Sequence, residues 1–328
     1  MATPSNTLTP MPDITITWVG DMAFGRPGIY PAAGPASLFT DVKDKLASDV
    51  TIGNLETVIG TVPLNSCGAV TTCFHFEAQP QTAQVLKDIG FAVVNTANNH
   101  SHDAGAAGVT STHNALTAAG VAWTGQPGQI TQLDVNGVSV AVIGFAPYDH
   151  SADARDIPAS AQLVAQAKQQ ADLVIVVMHL GAEGTGAQHV RPGTEYFVGE
   201  NRGDSIAFSH AVIDAGADLV VGSGPHVLRA MQWYNGHLIA YSMGNFMGYH
   251  NFAIGPTLSQ SGILQVTLDS DGHFSAGNVT PVFIKAPGTP TIDPAGKSIT
   301  TINKLSQADF AGNGAVTINT DGSIQPPD

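Results

Sequence analysis

Side chains able to bind a metal recur at one kind of place in this sequence, the carboxyl end of a short apolar run. Asp21 closes ITITWVGD, Asn54 and Glu56 follow DVTIG, and Asn98, Asn99 and His100 follow FAVVNTA. His179 ends DLVIVVMH, and His226 follows DLVVGSGP. Taken singly, each has an ordinary role: Asp21 as a turn cap, Asn98 in a left-handed turn, His179 as a hydrogen-bonded core histidine. Repetition at five run ends makes that account weak for the set. Carboxylate, amide oxygen and imidazole donors suit hard-to-borderline divalent ions such as Mn, Fe, Zn or Mg, and a thiolate site has no support.

Ligands of layered α/β folds gather at the carboxyl edge of a sheet, so these runs need to be strands. The run before Asp21 and those at 49–54, 91–98, 138–146, 172–181, 218–224 and 237–246 are rich in β-branched residues and read as strands. Helical patterns at 81–89, 106–119, 159–170 and 204–215 alternate with them, which predicts an α/β fold with much buried sheet. Beyond Ser261 the period shortens to two, and Asp-Gly in GILQVTLDSDGHF marks a hairpin turn. No linker divides the middle of the chain. We expect a flexible segment at 1–12, one main domain over 13–285, and a Pro, Gly, Thr and Asp-rich extension over 286–328 packing on it.

At 328 residues and 43% apolar content the chain can bury a large core. Its 12 Lys and Arg against 26 Asp and Glu give a formal charge of -14 with no basic run, which argues against nucleic-acid partners. No apolar stretch reaches the roughly 18 to 20 residues of a membrane helix. The start has neither the basic nor the apolar region of a leader, yet the composition suits an extracytoplasmic protein, secreted or at the cell surface, whose leader is not present in this chain. Cys67 and Cys73 lie close enough in NSCGAVTTC for a disulfide, with two unpaired thiols as the other reading.

In this order, WVGDMAFGR, IGNLET, NTANNHSHDAG, VVMHLGAEG, GADLVVGSGPHVLR and IAYSMGNF resemble the bacterial capsule synthesis family of CapA or poly-γ-glutamate synthesis type, which is related to calcineurin-like metallophosphoesterases. The resemblance runs from about Thr15 to Phe283. It implies a layered αββα sandwich holding one or two divalent metals. On that pattern Asp21 binds the first metal and His226 completes it, Glu56 with Asn54 lies near the bridging position, and Asn99 and His179 bind the second. His100 is then the general acid, oriented by Asp103. Two histidines of the pattern are missing: Ala23 stands where the first motif ends in one, and Gly224 where relatives begin His-x-His.

The resemblance implies two functions. One is a metal-dependent hydrolase or transferase that uses a metal-activated water on a phosphoester or amide substrate. The other is a non-catalytic accessory or binding component of poly-γ-glutamate capsule synthesis or export, which the missing histidines favour. The expected substrate is an anionic small molecule or polymer, poly-γ-glutamate among them, recognised through the metal and local arginines such as Arg26 and Arg229. Glu183, His102, His189 and Arg191 lie in or beside the motifs and could contact an anionic substrate, but each is equally well explained as a surface residue or an ordinary salt-bridge partner; Ser223 is a further candidate for the site.

Overall fold

A computed structural model describes residues 11–62 and 74–327, so Cys67, Cys73 and the segment 1–10 lie outside the described residues. In chain order the main elements are β1 (Ile14–Ala23), β2 (Val50–Leu55), α1 (Thr82–Ile89), β3 (Phe91–Asn95), α2 (Gly105–Ala119), β4 (Ala122–Thr124), β5 (Thr131–Val135) and β6 (Val138–Phe145). Then come α3 (Ile157–Lys168), β7 (Leu173–His179), α4 (Ser205–Asp214), β8 (Leu219–Ser223), β9 (Met231–Tyr234), β10 (His237–Ala240) and β11 (Asn245–Gly248). Last are β12 (Gln260–Leu268), β13 (Phe274–Lys285), β14 (Thr289–Ile292) and α5 (Lys297–Phe310). The first sheet runs β14-β13-β12-β1-β2-β3-β4 with β11 also paired to β1, and the second runs β9-β10-β8-β7-β6-β5. Strands β1 to β4 are parallel neighbours, as are β6, β7, β8 and β10.

Side-chain alternation builds the layers. Ile14, Ile16 and Trp18 of β1, with Val50, Ile52 and Val93, meet Leu173, Ile175, Val177, Leu219 and Val221 in one core between the sheets. The alternate residues of β7, Val174, Val176 and Met178, pack with Val164 of α3 and Phe208 and Val212 of α4. On the outer face of the first sheet, Val19, Met22, Leu55 and Val94 pack with Leu86 of α1 and Leu116 of α2. Helices, sheet, sheet, helices is the resulting order, the αββα sandwich expected above. Residues 286–328 supply β14 to the first sheet and α5, whose Ile302 joins the core between the sheets and whose Leu305 and Phe310 join the core beside α3 and α4. Among the described residues no helix is long and apolar enough to cross a membrane.

Two runs end differently from their sequence reading. The stretch 237–246 is two strands in different sheets, because Gly244 (φ 67°) turns the chain between β10 and β11. Ser242 Oγ holds that turn by donating to Val227 O (2.8 Å) and accepting from Gly244 N (3.1 Å). The crossing ties the sheets together: Met243 N donates to Gly222 O, and Gly244 O accepts from Asp21 N. The run from Phe91 stops at Asn95, whose side chain accepts from Ala97 N (3.1 Å) and donates to Ala97 O (2.9 Å), a local turn that displaces the ladder.

Candidate metal centre

The inner faces of the strands change from apolar to polar at one end. Along β2 the inward residues are Val50, Ile52 and then Asn54; along β3, Val93 and then Asn95; along β7, Ile175, Val177 and then His179; along β8, Leu219, Val221 and then Ser223. Strand β1 breaks this alternation, since Ile14, Ile16 and Trp18 would send Asp21 outward. A bulge corrects it: the register with β2 slips between Val19 and Asp21, so Asp21 turns inward beside Asn54 and Asn245 while Met22 turns out. Only glycine fits at position 20, because a Cβ there would stand 1.9 Å from Gly244 O.

Asp21 is fully buried. Its Oδ1 accepts from Asn54 Nδ2 (2.7 Å) and lies 3.6 Å from His179 Nδ1, while its Oδ2 lies 3.1 Å from His226 Nδ1 and accepts from Gly224 N (3.3 Å). Glu56, just past β2, is equally buried. Its Oε1 stands among three imidazoles, 3.7 Å from His226 Nε2 and 4.0 Å from both His179 Nε2 and His100 Nε2. His179 Nε2 also faces Asn99 Oδ1 at 3.0 Å, and its Nδ1 lies 3.3 Å from Ser223 Oγ. Asp21, Glu56, Asn99, His179 and His226 therefore converge. Asn54 is placed differently: its NH2 faces Asp21, and its oxygen is held by Asn95 Nδ2 (2.9 Å) and Asn98 Nδ2 (3.2 Å), so it orients Asp21 rather than offering an oxygen to the centre.

His100 approaches from a 3-10 turn, Asn99–His102, capped by Asn98, whose Oδ1 accepts from His100 N (3.1 Å). The ring is fixed on two sides. Its Nδ1 lies 2.9 Å from Asp103 Oδ2, and it stacks on Phe76 with centroids 3.9 Å apart. Asp103 Oδ2 also accepts from Phe76 N (2.8 Å), which leaves His100 Nε2 directed at Glu56.

Burial raises the pKa of a carboxyl and lowers that of an imidazole unless partners intervene. At Asp21 burial is outweighed by hydrogen bonds with His179 and His226, and the carboxyl is held well below the usual carboxylate range. At Glu56 burial, reinforced by the nearby Asp21 charge, pushes the pKa well above its ordinary value. Burial lowers that of His179. Burial also opposes charge on His226, but Glu56, Asp21 and Glu183 push its pKa up to about 10. Both Glu56 oxygens lack a hydrogen-bond partner. An unpaired buried acceptor costs about 1–3 kcal/mol, and more when charged. Ligand atoms of Asp21, Glu56 and His226 lie within 4.8 Å of one another, so a divalent cation fits this donor set and would satisfy Glu56.

A profile for the family described as bacterial capsule synthesis protein PGA_cap matches residues 15–250. The chain belongs to this family. It is 30% identical to the PGA biosynthesis protein CapA of Bacillus subtilis (strain 168), over 94% of this chain and 83% of that protein. It is 31% identical to the capsule biosynthesis protein CapA of Bacillus anthracis, over 71% of this chain and 59% of that protein. Among solved structures it is similar to a 5′-nucleotidase precursor from Thermus thermophilus, at 13% identity and a TM-score of 0.40, over 90% of this chain and 59% of that one.

In this member of the family the remaining candidates separate. Glu183 reaches the centre, with Oε2 3.7 Å from His226 Nε2 and Oε1 2.7 Å from Arg202 Nη2. Arg202 is 1% exposed and was not singled out from the sequence. Its signal was a lone arginine in the irregular stretch ENRGD of a chain with only 12 Lys and Arg. Arg229 corrects an expectation: it is fully buried and donates to Glu195 Oε1 (2.7 Å), Glu195 Oε2 (2.6 Å) and Ala187 O (2.8 Å), so its guanidinium is spent on internal partners. Arg26 is exposed beside Phe76 and His250 at a cavity of about 200 Å³. His102 packs against His150 with the rings tilted by 30°, His189 pairs with Asp309 at the surface, and Arg191 is exposed. Gly224 has φ 108°, and a Cβ there would sit 3.1 Å from Leu180 N and 3.3 Å from His179 Cδ2, so the backbone resists the histidine that the family pattern expects.

Proposed function

We propose that this member of the capsule synthesis family is a metal-dependent hydrolase or transferase acting on a phosphoester or amide bond of an anionic substrate, with poly-γ-glutamate as the polymer of interest. One observation carries the reading: Glu56 is fully buried, has no partner for either oxygen, and lies among Asp21 and three imidazoles. Asp21, Glu56 and His226 would hold one divalent ion, and Asn99 and His179, with Glu56 near both, would hold a second. When bound, such a metal supplies Lewis acidity and makes water nucleophilic near neutral pH. The protein's own groups do the rest. Asn54 keeps Asp21 aimed inward, and Asp103 and Phe76 hold His100 so that Nε2 can give its proton to the leaving group.

Relatives' names support the substrate class: one is a PGA biosynthesis protein, and another, 28% identical over 62% of this chain, is named a probable polyglutamine synthesis accessory protein of Mycobacterium tuberculosis. Elemental analysis, with phosphodiesterase and γ-glutamyl hydrolase assays after addition of Mn, Zn or Mg, tests the proposal. Bound metal and a metal-stimulated rate are expected, and the absence of both sinks it. Ala23 and Gly224 favour a second reading, an accessory component that binds metal and polymer without turnover, since fewer imidazoles hold late transition metals less firmly. Polymer retention without hydrolysis of either substrate selects that reading. An extracytoplasmic location is part of the same proposal, and the finding of two free thiols at Cys67 and Cys73 under non-reducing conditions counts against it.

A further inference from the structure

We infer that Glu183, held by Arg202, is a further carboxylate of the metal centre, and that it tilts the centre toward hard, oxygen-preferring ions such as Mn²⁺ and Mg²⁺. The inference rests on the metal-binding reading above and concerns which ions the centre takes. His226 Nε2 lies 3.7 Å from Glu56 Oε1 and 3.7 Å from Glu183 Oε2, so two carboxylates flank one imidazole nitrogen. One of them, Glu56, is fully buried with both oxygens unpartnered.

Glu183 is held rigidly. Its loop follows β7 and is fastened at three backbone groups: Gly181 N donates to Arg202 O (2.9 Å), Ala182 N to Glu195 Oε2 (3.0 Å), and Gly184 N to Pro225 O (3.0 Å). The last bond joins the loop of Glu183 directly to the loop of His226. Arg202 Nη2 lies 2.7 Å from Glu183 Oε1 as an ion pair without hydrogen-bond geometry, and Oε2 is turned to the centre. The Arg202 guanidinium carbon lies 5.7 Å from the Tyr148 ring centroid and 6.0 Å from that of Phe197, and Nη1 lies 3.4 Å from Glu200 Oε2. A carboxylate so constrained loses little freedom when it meets a cation.

The donor set decides the ion. Asp21, Glu56 and His226 have ligand atoms within 4.8 Å of one another, and Glu183 adds an oxygen donor 3.7 Å from the His226 nitrogen. A set richer in carboxylate oxygen than in imidazole nitrogen lowers the advantage of Zn²⁺ and raises that of harder ions.

Calorimetric titration of the metal-free full chain with MnCl₂ and ZnCl₂ tests this in the wild type, Glu183→Gln and Glu183→Asp, with circular dichroism confirming the fold. Gln keeps an oxygen for Arg202 and loses the charge; Asp keeps the charge and withdraws it from His226. Mn²⁺ affinity is expected to fall about tenfold or more in both variants, and Zn²⁺ affinity distinctly less. Mn²⁺ affinity within roughly twofold of wild type, or equal fractional losses for the two ions, overturns the inference. Should the Gln variant unfold, the Asp variant decides alone. Wild-type protein that binds neither ion overturns the metal-binding reading itself.

Discussion

Two arginine–carboxylate pairs lie under neighbouring loops and are equally hidden, yet their carboxylates are placed differently. In Arg229–Glu195 the side chains are 0% and 16% exposed, and in Arg202–Glu183 they are 2% and 15% exposed. The difference lies in the carboxylate's second oxygen. Both Glu195 oxygens are consumed internally, Oε1 by Arg229 Nη1 and Oε2 by Arg229 Nη2 and Ala182 N. Glu183 gives Oε1 to Arg202 and turns Oε2 toward His226. Burial alone therefore does not tell the two pairs apart; the direction of the carboxylate's second oxygen does.

The largest expected effect tests that distinction. Arg229→Met leaves Glu195 without its partner and frees the Ala182 loop, so a loss of about 3–5 kcal/mol is expected in denaturant unfolding of the metal-free protein. Arg202→Met also removes a buried guanidinium, and the Glu183 it releases faces the cation site proposed above. Loss of that hold weakens Mn²⁺ binding, so saturating Mn²⁺ is expected to widen the gap in unfolding midpoint between wild type and Arg202→Met, and to leave the gap for Arg229→Met in place. An equal change in both gaps would break the comparison.

The same test sorts the imidazoles. His179 has both nitrogens inside the cluster, against Asn54, Ser223 and Asp21 on one side and Asn99 on the other. His100 has one nitrogen fixed by Asp103 and one turned to the centre. Accordingly His179→Ala, like Asp21→Ala, is expected to abolish stoichiometric metal by elemental analysis. His100→Ala should keep the metal and lose about 10²- to 10⁴-fold in turnover on whichever substrate proves active. A fully active His100 variant would remove it from the mechanism.

How much of this was legible follows from where the order lies. The two-residue period of β7 carries Ile175 and Val177 inward and delivers His179 to the same face, so runs ending in polar residues announced both the sheets and most of the cluster. Gly20 was a missed signal: an isolated glycine inside a strand pattern often marks a bulge, and without one the alternation of β1 points Asp21 the wrong way. The crossing at 241–244 was hidden because HLIAYSMGNF stays apolar through the turn, and only the Ser242 and Gly244 bonds expose it. Arg202 and Arg229 find their partners across irregular loops, where no period exists to extrapolate.

The smallest expected effect concerns His226. Its pKa rises from 6.5 to about 10 in the metal-free protein because Glu56, Asp21 and Glu183 outweigh burial. A group whose folded pKa exceeds its unfolded value contributes stability that is fully present below the unfolded pKa and is lost as pH rises through the folded one. The metal-free protein should therefore lose stability as pH climbs from about 6.5 to 10, measured by thermal unfolding. A metal requires the neutral imidazole, so loading displaces the proton and affinity should strengthen with pH across that window. Titration calorimetry at neutral pH, in buffers of different ionisation enthalpy, should register release of about one proton per centre. Metal uptake with no proton release would mean that His226 is not a ligand, and would set it beside Arg229 among the groups the fold uses up internally.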